Sequence, residues 1–206
     1  IAANIWPKVA ERKDFKNLNL NSEEQLAFRW KAWNAIKGLW DLEDPSAISV
    51  EATEQRVSAS LSGVPFLGII DRLDREENEL VVVDYKTGKL PKYGNDTFNQ
   101  VLLYAAAVES KTGEQPSRVR LLYLGKETME TEVSVDLVNK VVEDLSDTWD
   151  RLRTNLENNE FEPVTTPLCG WCSFVVQCPA GTKFIKKRAS LGKLRSDAPA
   201  RLALGL

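Results

Sequence analysis

Two aspartates and one lysine have the types and spacing expected of a metal-dependent hydrolytic site. Asp84 and Lys86 follow the apolar run at residues 80–83, and Asp71 lies in the apolar segment before it. Side chains two residues apart on a β-strand leave the same face, so Asp84 and Lys86 would be neighbours. If the two segments pair as a hairpin, Asp71 lies near Asp84. Two carboxylates held together away from water are costly unless a divalent cation neutralises them.

This set of residues can support phosphodiester hydrolysis without a histidine, and the chain contains none. Carboxylate oxygens suit Mg²⁺ or Mn²⁺, with water and a substrate phosphate filling the remaining positions. A lysine beside the metal can orient or deprotonate water, or offset negative charge in the transition state. The alternative is an Asp-x-Lys pair on a solvated strand edge. The apolar run before Asp84, with Asp71 in the preceding segment, favours the metal site.

The elements that must position these residues follow from the hydrophobic periodicity. A helix is predicted at residues 22–40, with Ser22 and Gln25 spaced as a capping box and an apolar stripe expected to face the core. The members of that stripe are Leu26, Trp30, Trp33, Ile36 and Trp40. Strands follow near residues 57–61, 66–73 and 80–86, then a helix at 96–111, strands at 118–124 and 127–135, and a helix at 136–158. This order predicts an α/β layered domain.

The C-terminal region contains a second group of residues with metal-binding types. Cys169, Cys172 and Cys178 lie within ten residues of one another. An odd number of clustered cysteines argues against a disulfide framework and favours a metal site, whereas reduced core cysteines are the alternative. Residues 183–206 form a basic segment, predicted to be a C-terminal tail that is either solvated or in contact with phosphates.

Composition limits the class of protein. The 43% hydrophobic and 28% charged content is ordinary for a globular domain. The net charge of −3 argues against binding polyanions over the whole surface, although a local basic groove remains compatible with it. No apolar run approaches the roughly 18 residues that a membrane span needs, and no signal peptide is evident, so we expect a cytoplasmic protein without a membrane partner.

The combined motifs resemble the RecB-type PD-(D/E)XK nucleases. The matching patterns are G-x-x-D-R-x-D at residues 68–74, D-Y-K-T-G at 84–88 and Q-x-x-x-Y at 100–104. The resemblance implies a restriction-endonuclease-like core, with a mixed central sheet flanked by helices. It also implies that Asp71, Asp84 and the Tyr85 carbonyl bind metal, that Lys86 is catalytic, and that Gln100 and Tyr104 reach the site. Glu54 resembles an acidic residue often found in the preceding strand, with a surface carboxylate as the alternative.

The same resemblance implies a function and its partners. We expect a Mg²⁺- or Mn²⁺-dependent DNA exonuclease in recombination or repair, acting on single-stranded ends with a helicase subunit or a fused helicase domain. In some RecB-type branches a cysteine trio and one upstream cysteine bind a [4Fe–4S] cluster, so residues 165–180 would be a metal-binding segment, with zinc as the chemical alternative.

Two features of the family are not found in this sequence, namely a metal-ligating histidine and the fourth cysteine. The chain begins at Ile1, and we therefore expect the nuclease domain, residues 1–182, to lack its N-terminal part. The competing interpretation, which the absent histidine favours, is a catalytically inactive nuclease-fold module that binds DNA or supports a helicase subunit.

Overall fold

The computed structural model describes residues 2–91 and 96–206, which form two compact units at residues 1–149 and 150–206. The first unit contains a five-stranded sheet and most of the helices. The helices are α1 Ala2–Ala10, α2 Lys13–Lys16, α3 Ser22–Trp40, α4 Asn99–Thr112, α5 Val135–Asn158, α6 Pro179–Ser190 and α7 Ala200–Ala203. The strands are β1 Val50–Leu61, β2 Val64–Glu76, β3 Glu79–Lys86, β4 Arg118–Tyr123 and β5 Glu127–Glu132.

The sheet is mixed, and its strands follow one another in chain order. Strands β1, β2 and β3 are successive antiparallel partners, β4 is parallel to β3, and β5 is antiparallel to β4. Parallel neighbours need a crossover connection, and α4 supplies it between β3 and β4. The predicted α/β class with a mixed sheet is therefore confirmed.

One face of the sheet packs against α4 and forms the main core. Alternate residues of β3, Leu80 and Val82, are buried on this face against Val101, Ala105 and other apolar residues of α4. The small residues at 105–107 let the helix lie close to the strands. Helix α4 ends at Gly113, whose positive φ of 77° closes the last turn and is readily adopted by glycine.

The opposite face of the sheet buries Val81, Val83 and Leu122, with Leu39 and Leu42 packed against them. The end of α3 reaches this region through a close approach of two backbones. A Cβ atom on Gly38 would lie 2.3 Å from the nitrogen of Gly125, so neither a larger residue nor a shifted helix fits there.

The expectation that the apolar stripe of α3 faces the core is wrong for the described residues. Trp30 and Trp40 are 56% and 61% exposed, and the other members of the stripe are also exposed. The contacts of α3 with the core are made near its end by Gly38 and Leu39, which lie beside the stripe and do not belong to it. The helix also begins one residue earlier than the predicted capping box, since the Asn21 side chain and the Glu24 backbone and side chain form the box.

The second unit has its own small core. Val175, Ile185 and Leu194 are buried together with Ala198 and Ala200. A short 3₁₀ turn at residues 167–171 precedes α6, and α7 follows it. The predicted boundary at residue 182 therefore lies inside α6, and the basic segment is folded. Within the described ranges, no helix combines the length and the apolar composition that crossing a bilayer requires.

Candidate active site

Asp84 and Lys86 lie at the end of β3, on the face of the sheet that α4 covers. Their side chains leave this face together, as the period of two requires. The Lys86 Nζ lies 2.7 Å from Asp84 Oδ2. Asp84 is only 5% exposed, whereas the Lys86 side chain is 30% exposed and can reach solvent or a substrate.

Asp71 is brought beside Asp84 by the register of the β2–β3 hairpin. Arg72 pairs with Val83 in this ladder, and continuing the register by one residue sets Asp71 opposite Asp84. The regular ladder ends there, and the Tyr85 backbone N–H donates a hydrogen bond to Asp71 Oδ2 at 2.9 Å. This contact fixes the Asp71 carboxylate next to the backbone between Asp84 and Lys86.

Helix α4 adds a line of polar contacts that ends on Lys86. Lys86 Nζ donates to Gln100 Oε1 at 2.9 Å, and Gln100 Nε2 donates to the Tyr104 hydroxyl at 2.8 Å. Gln100 and Tyr104 are four residues apart, so they share one helix face. Gly68 makes room for the tyrosine, since a Cβ at residue 68 would lie 2.5 Å from Tyr104 Cε1. The three patterns at residues 68–74, 84–88 and 100–104 therefore meet in space.

The electrostatics of Asp84 fit a cation ligand. Burial raises the pKa of the Asp84 carboxyl, Lys86 lowers it, and the negative charge of Asp71 raises it further. Asp84 Oδ2 is buried, and Lys86 Nζ lies 2.7 Å from it in an ion pair. A buried carboxylate oxygen beside a second carboxylate is a suitable ligand for Mg²⁺ or Mn²⁺.

The carboxylate pair would need further ligands to hold such an ion. No set of three or more cysteine, aspartate and glutamate side chains in the described part of the chain lies close enough to bind a metal. Asp71 and Asp84 could therefore supply two oxygens, with a backbone carbonyl, water and a substrate phosphate for the rest. The Tyr85 carbonyl remains a predicted ligand.

Sequence reasoning missed a buried ionic network on the opposite face of the same strands. The Arg72 guanidinium donates to Glu43 Oε1 at 2.5 Å and Oε2 at 2.9 Å. It also donates to Asp74 Oδ2 at 3.1 Å and to the Tyr85 hydroxyl at 2.6 Å. Arg72 and Asp74 are 4% and 0% exposed. The sequence signal for this network was the pair Arg72 and Asp74, which have opposite charges and lie two residues apart in a strand otherwise rich in apolar residues.

This network ties both hairpin strands to the chain before β1. Burial opposes the charge of Arg72, but Glu43 and Asp74 outweigh it and raise the pKa of Arg72. Burial likewise raises the pKa of Asp74 against the opposing effect of Arg72. Tyr85 is held by its hydroxyl on this face, while its backbone N–H holds Asp71. Arg72 therefore supports the geometry of the candidate site from behind.

Glu54 lies on β1 across from Asp71 when the β1–β2 register is continued. It is exposed and has a positive φ of 49°, an uncommon conformation for a residue other than glycine. Residues an odd number apart on a regular strand leave opposite faces, yet Ala52 and Val57 both pack against the main core, so β1 is irregular between them. The structure thus locates an irregularity at Glu54, and the role implied by resemblance stays a prediction.

The three cysteines do not form a ligand group among the described residues. Cys169 Sγ accepts a hydrogen bond from the Thr166 backbone N–H, and Cys178 Sγ accepts one from Gly181. Cys178 thereby caps the start of α6. The cysteines as placed do not fit an iron–sulfur or zinc site, and the predicted cluster is not confirmed.

Comparison with known proteins gives three matches. The family model of the PD-(D/E)XK nuclease superfamily matches residues 1–179. The Gene 69 protein of Mycobacterium phage L5 is 30% identical over 194 residues, covering 84% of this chain and 65% of that protein. The Gene 69 protein of Mycobacterium phage D29 is 29% identical over 154 residues, covering 72% of this chain and 54% of that protein. The chain thus spans less than two thirds of the length of either phage relative.

Proposed function

Because the chain belongs to the PD-(D/E)XK nuclease superfamily, we propose that it is a RecB-like DNA exonuclease that depends on Mg²⁺ or Mn²⁺. The observation that carries the proposal is the meeting of Asp71, within β2, with Asp84 and Lys86 at the end of β3. Asp84 has a buried carboxylate oxygen there, and Lys86 Nζ, on a side chain that is 30% exposed, lies 2.7 Å from it.

Each residue has a role that its contacts support. Asp71 and Asp84 would hold the cation, which supplies an activated water and stabilises negative charge on the phosphate. Lys86 is placed to hold a water molecule or to offset developing charge. Gln100 orients Lys86 through its Oε1, and Tyr104 in turn holds Gln100. The hydrogen bond from the Tyr85 backbone keeps Asp71 in place.

The test compares Asp84→Asn and Lys86→Gln with the parent protein on end-labelled linear DNA in Mg²⁺. We expect both variants to lose on the order of 10²–10³-fold or more in rate, because each removes a group that acts on the transition state. Lys111→Gln is the matched control, since this exposed lysine at the end of α4 forms no ion pair with the described residues.

Thermal melting in excess chelator separates catalysis from folding. Asp84→Asn removes a buried negative charge next to Asp71, so we expect its melting temperature to equal or exceed that of the parent protein. Near-parental DNA degradation by Asp84→Asn, or degradation that persists in chelator, would refute the proposed site. Exonuclease action requires in addition that covalently closed DNA resists cleavage while linear DNA is degraded.

A second candidate is an inactive nuclease-fold module that binds DNA or supports a helicase subunit. The observation in its favour is the lack of any histidine in the 206 residues. Binding of DNA without metal-dependent degradation would support this alternative. Action in recombination or repair and association with a helicase rest on the resemblance to RecB-type nucleases. Among the described residues, the cysteines as placed do not fit an iron–sulfur cluster.

A further inference from the structure

The second compact unit has a charge opposite to that of the rest of the chain. Residues 150–206 contain nine lysines and arginines and five acidic residues, for a net charge of +4, and seven of these cations lie at residues 163–206 with one acidic residue, Asp197. Because the whole chain has a net charge of −3, residues 1–149 carry −7. The positive charge is therefore concentrated in one folded segment, which has its own buried core.

Three of these seven cations are used within the unit. Arg201 donates to the backbone carbonyls of Leu194 and Arg195. Arg188 donates to the carbonyl of Lys193 and lies over the ring of Phe184, and Arg195 forms an ion pair with Asp197. These arginines stabilise the connection between α6 and α7.

The four lysines of this stretch have no ion-pair partner among the described residues, whereas the three arginines make the contacts described above. These lysines, Lys183, Lys186, Lys187 and Lys193, are all exposed. Lys183, Lys186 and Lys187 are spaced three and four residues apart on α6, so they lie side by side on one face of the helix. Helix α6 contains no acidic residue, and like charges at this spacing repel one another. Such a face is suited to an external polyanion.

Two aromatic rings are exposed in the same unit. Phe174 is 71% exposed, and its carbonyl accepts hydrogen bonds from Gln177 and Cys178 in the turn that leads into α6. Trp171 is 41% exposed, and the Arg195 guanidinium lies 5.5 Å from the centre of its ring. Exposed aromatic rings are the features on which unpaired nucleobases stack.

We propose that the second unit carries a binding surface for single-stranded nucleic acid, made of residues other than those of the candidate active site. Lys183, Lys186 and Lys187 would contact phosphates, and Phe174 and Trp171 would stack with bases. A duplex would leave the rings without unpaired bases to stack on. An anionic membrane fits less well, because the apolar side of α6 is used internally, with Ile185 fully buried in the core of the unit.

This inference deepens the proposed function by stating that the DNA bound at the second unit is single-stranded. It rests on the proposed function only in treating that strand as the substrate. Binding is therefore measured without cleavage. The experiment uses the full chain in excess chelator, with a fluorescent oligothymidylate of about 20 nucleotides, and follows anisotropy at several salt concentrations.

Neutralising the lysine face tests the phosphate contacts. For Lys183→Gln/Lys186→Gln/Lys187→Gln we expect weaker binding and a salt slope, d log K/d log[salt], that is less steep by about 2, at roughly 0.7 per lost phosphate contact. The matched control Lys13→Gln/Lys31→Gln/Lys140→Gln makes the same change of charge at exposed lysines of the first unit. An unchanged slope, or equal weakening by the control, would overturn the proposal.

Replacing the exposed ring tests stacking. Phe174→Leu keeps an apolar side chain but removes the ring, and we expect roughly tenfold weaker binding with an unchanged salt slope, whereas Phe174→Trp should preserve binding. Equal affinity of Phe174→Leu and the parent protein would overturn the stacking contact. Tighter binding to duplex DNA of the same length, or to vesicles of anionic phospholipid, would overturn the assignment to single strands.

The outcome for this surface is independent of the outcome for the catalytic residues. If the lysine variant shows the expected slope while the parent protein degrades no DNA with metal, the surface stands and the proposed nuclease fails. If the parent protein degrades short oligonucleotides and the lysine variant binds as tightly as the parent, the nuclease stands and this surface is refuted.

Discussion

Replacement of Arg72 by methionine should destabilise the protein more than any change at an exposed charge. Methionine keeps much of the length of the side chain but removes the cation. Glu43 and Asp74 would then stay buried without a counterion, with side-chain exposures of 13% and 0%. Removing one partner of a buried, hydrogen-bonded ion network costs about 3–5 kcal/mol. This is a large share of a total stability of roughly 5–15 kcal/mol.

Urea unfolding followed by far-ultraviolet circular dichroism measures this loss, with thermal melting as a second assay. A loss of this size corresponds to a melting temperature lower by roughly 10 °C for a chain of this length. Arg75→Met is the matched control, because Arg75 lies on the same strand and pairs with Glu51 and Glu114 in a more exposed position. That variant should lose much less stability than Arg72→Met, because solvent screens exposed ion pairs.

A third variant separates the loss of charge balance from the loss of packing. Replacing the whole network, as Glu43→Met/Arg72→Met/Asp74→Leu, leaves no uncompensated buried charge and should recover much of the stability that Arg72→Met loses. The reasoning would be refuted if Arg72→Met cost no more than Arg75→Met. It would also be refuted if the triple variant were less stable than Arg72→Met alone, since the buried carboxylates could not then be the source of the loss.

Three further predictions concern pH, packing and metal. Burial raises the folded-state pKa of Asp74. Protonation of this carboxyl therefore stabilises the fold fully below the unfolded pKa near 4, and this stabilisation is lost as pH rises through the folded-state pKa. The stability of the parent protein relative to Asp74→Asn, from urea titrations, should fall over that window, and a constant difference would contradict this. Gly68→Ala should displace the ring of Tyr104 and lower nuclease activity about tenfold; an additive loss in a Tyr104→Phe background would argue against this route. Ca²⁺ should support much less activity than Mg²⁺ or Mn²⁺, because it accepts looser coordination, and equal rates with Ca²⁺ would count against the proposed metal site.

Local periodicity in the sequence was enough to predict much of the fold and part of the candidate site. The order of strands and helices followed from the alternation of apolar residues. The common face of Asp84 and Lys86 followed from the period of a strand, and that of Gln100 and Tyr104 from the period of a helix. These relations depend only on backbone geometry between residues that are close in the chain, so they hold wherever the element packs.

Tertiary structure decided the relations between distant segments. The hairpin register set Asp71 beside Asp84, and the packing of α4 brought Gln100 to Lys86. Burial was also a tertiary outcome. Arg72 is enclosed because Glu43 reaches it from a segment 29 residues away.

The apolar stripe of α3 also shows that the spacing of residues does not determine their burial. Its spacing predicted a core-facing helix, yet Trp30 and Trp40 are exposed and the core is met by Leu39, which lies off the stripe. Periodicity specifies which residues of an element share a face. What that face meets depends on contacts between segments far apart in the chain, and these are fixed only when the whole unit packs.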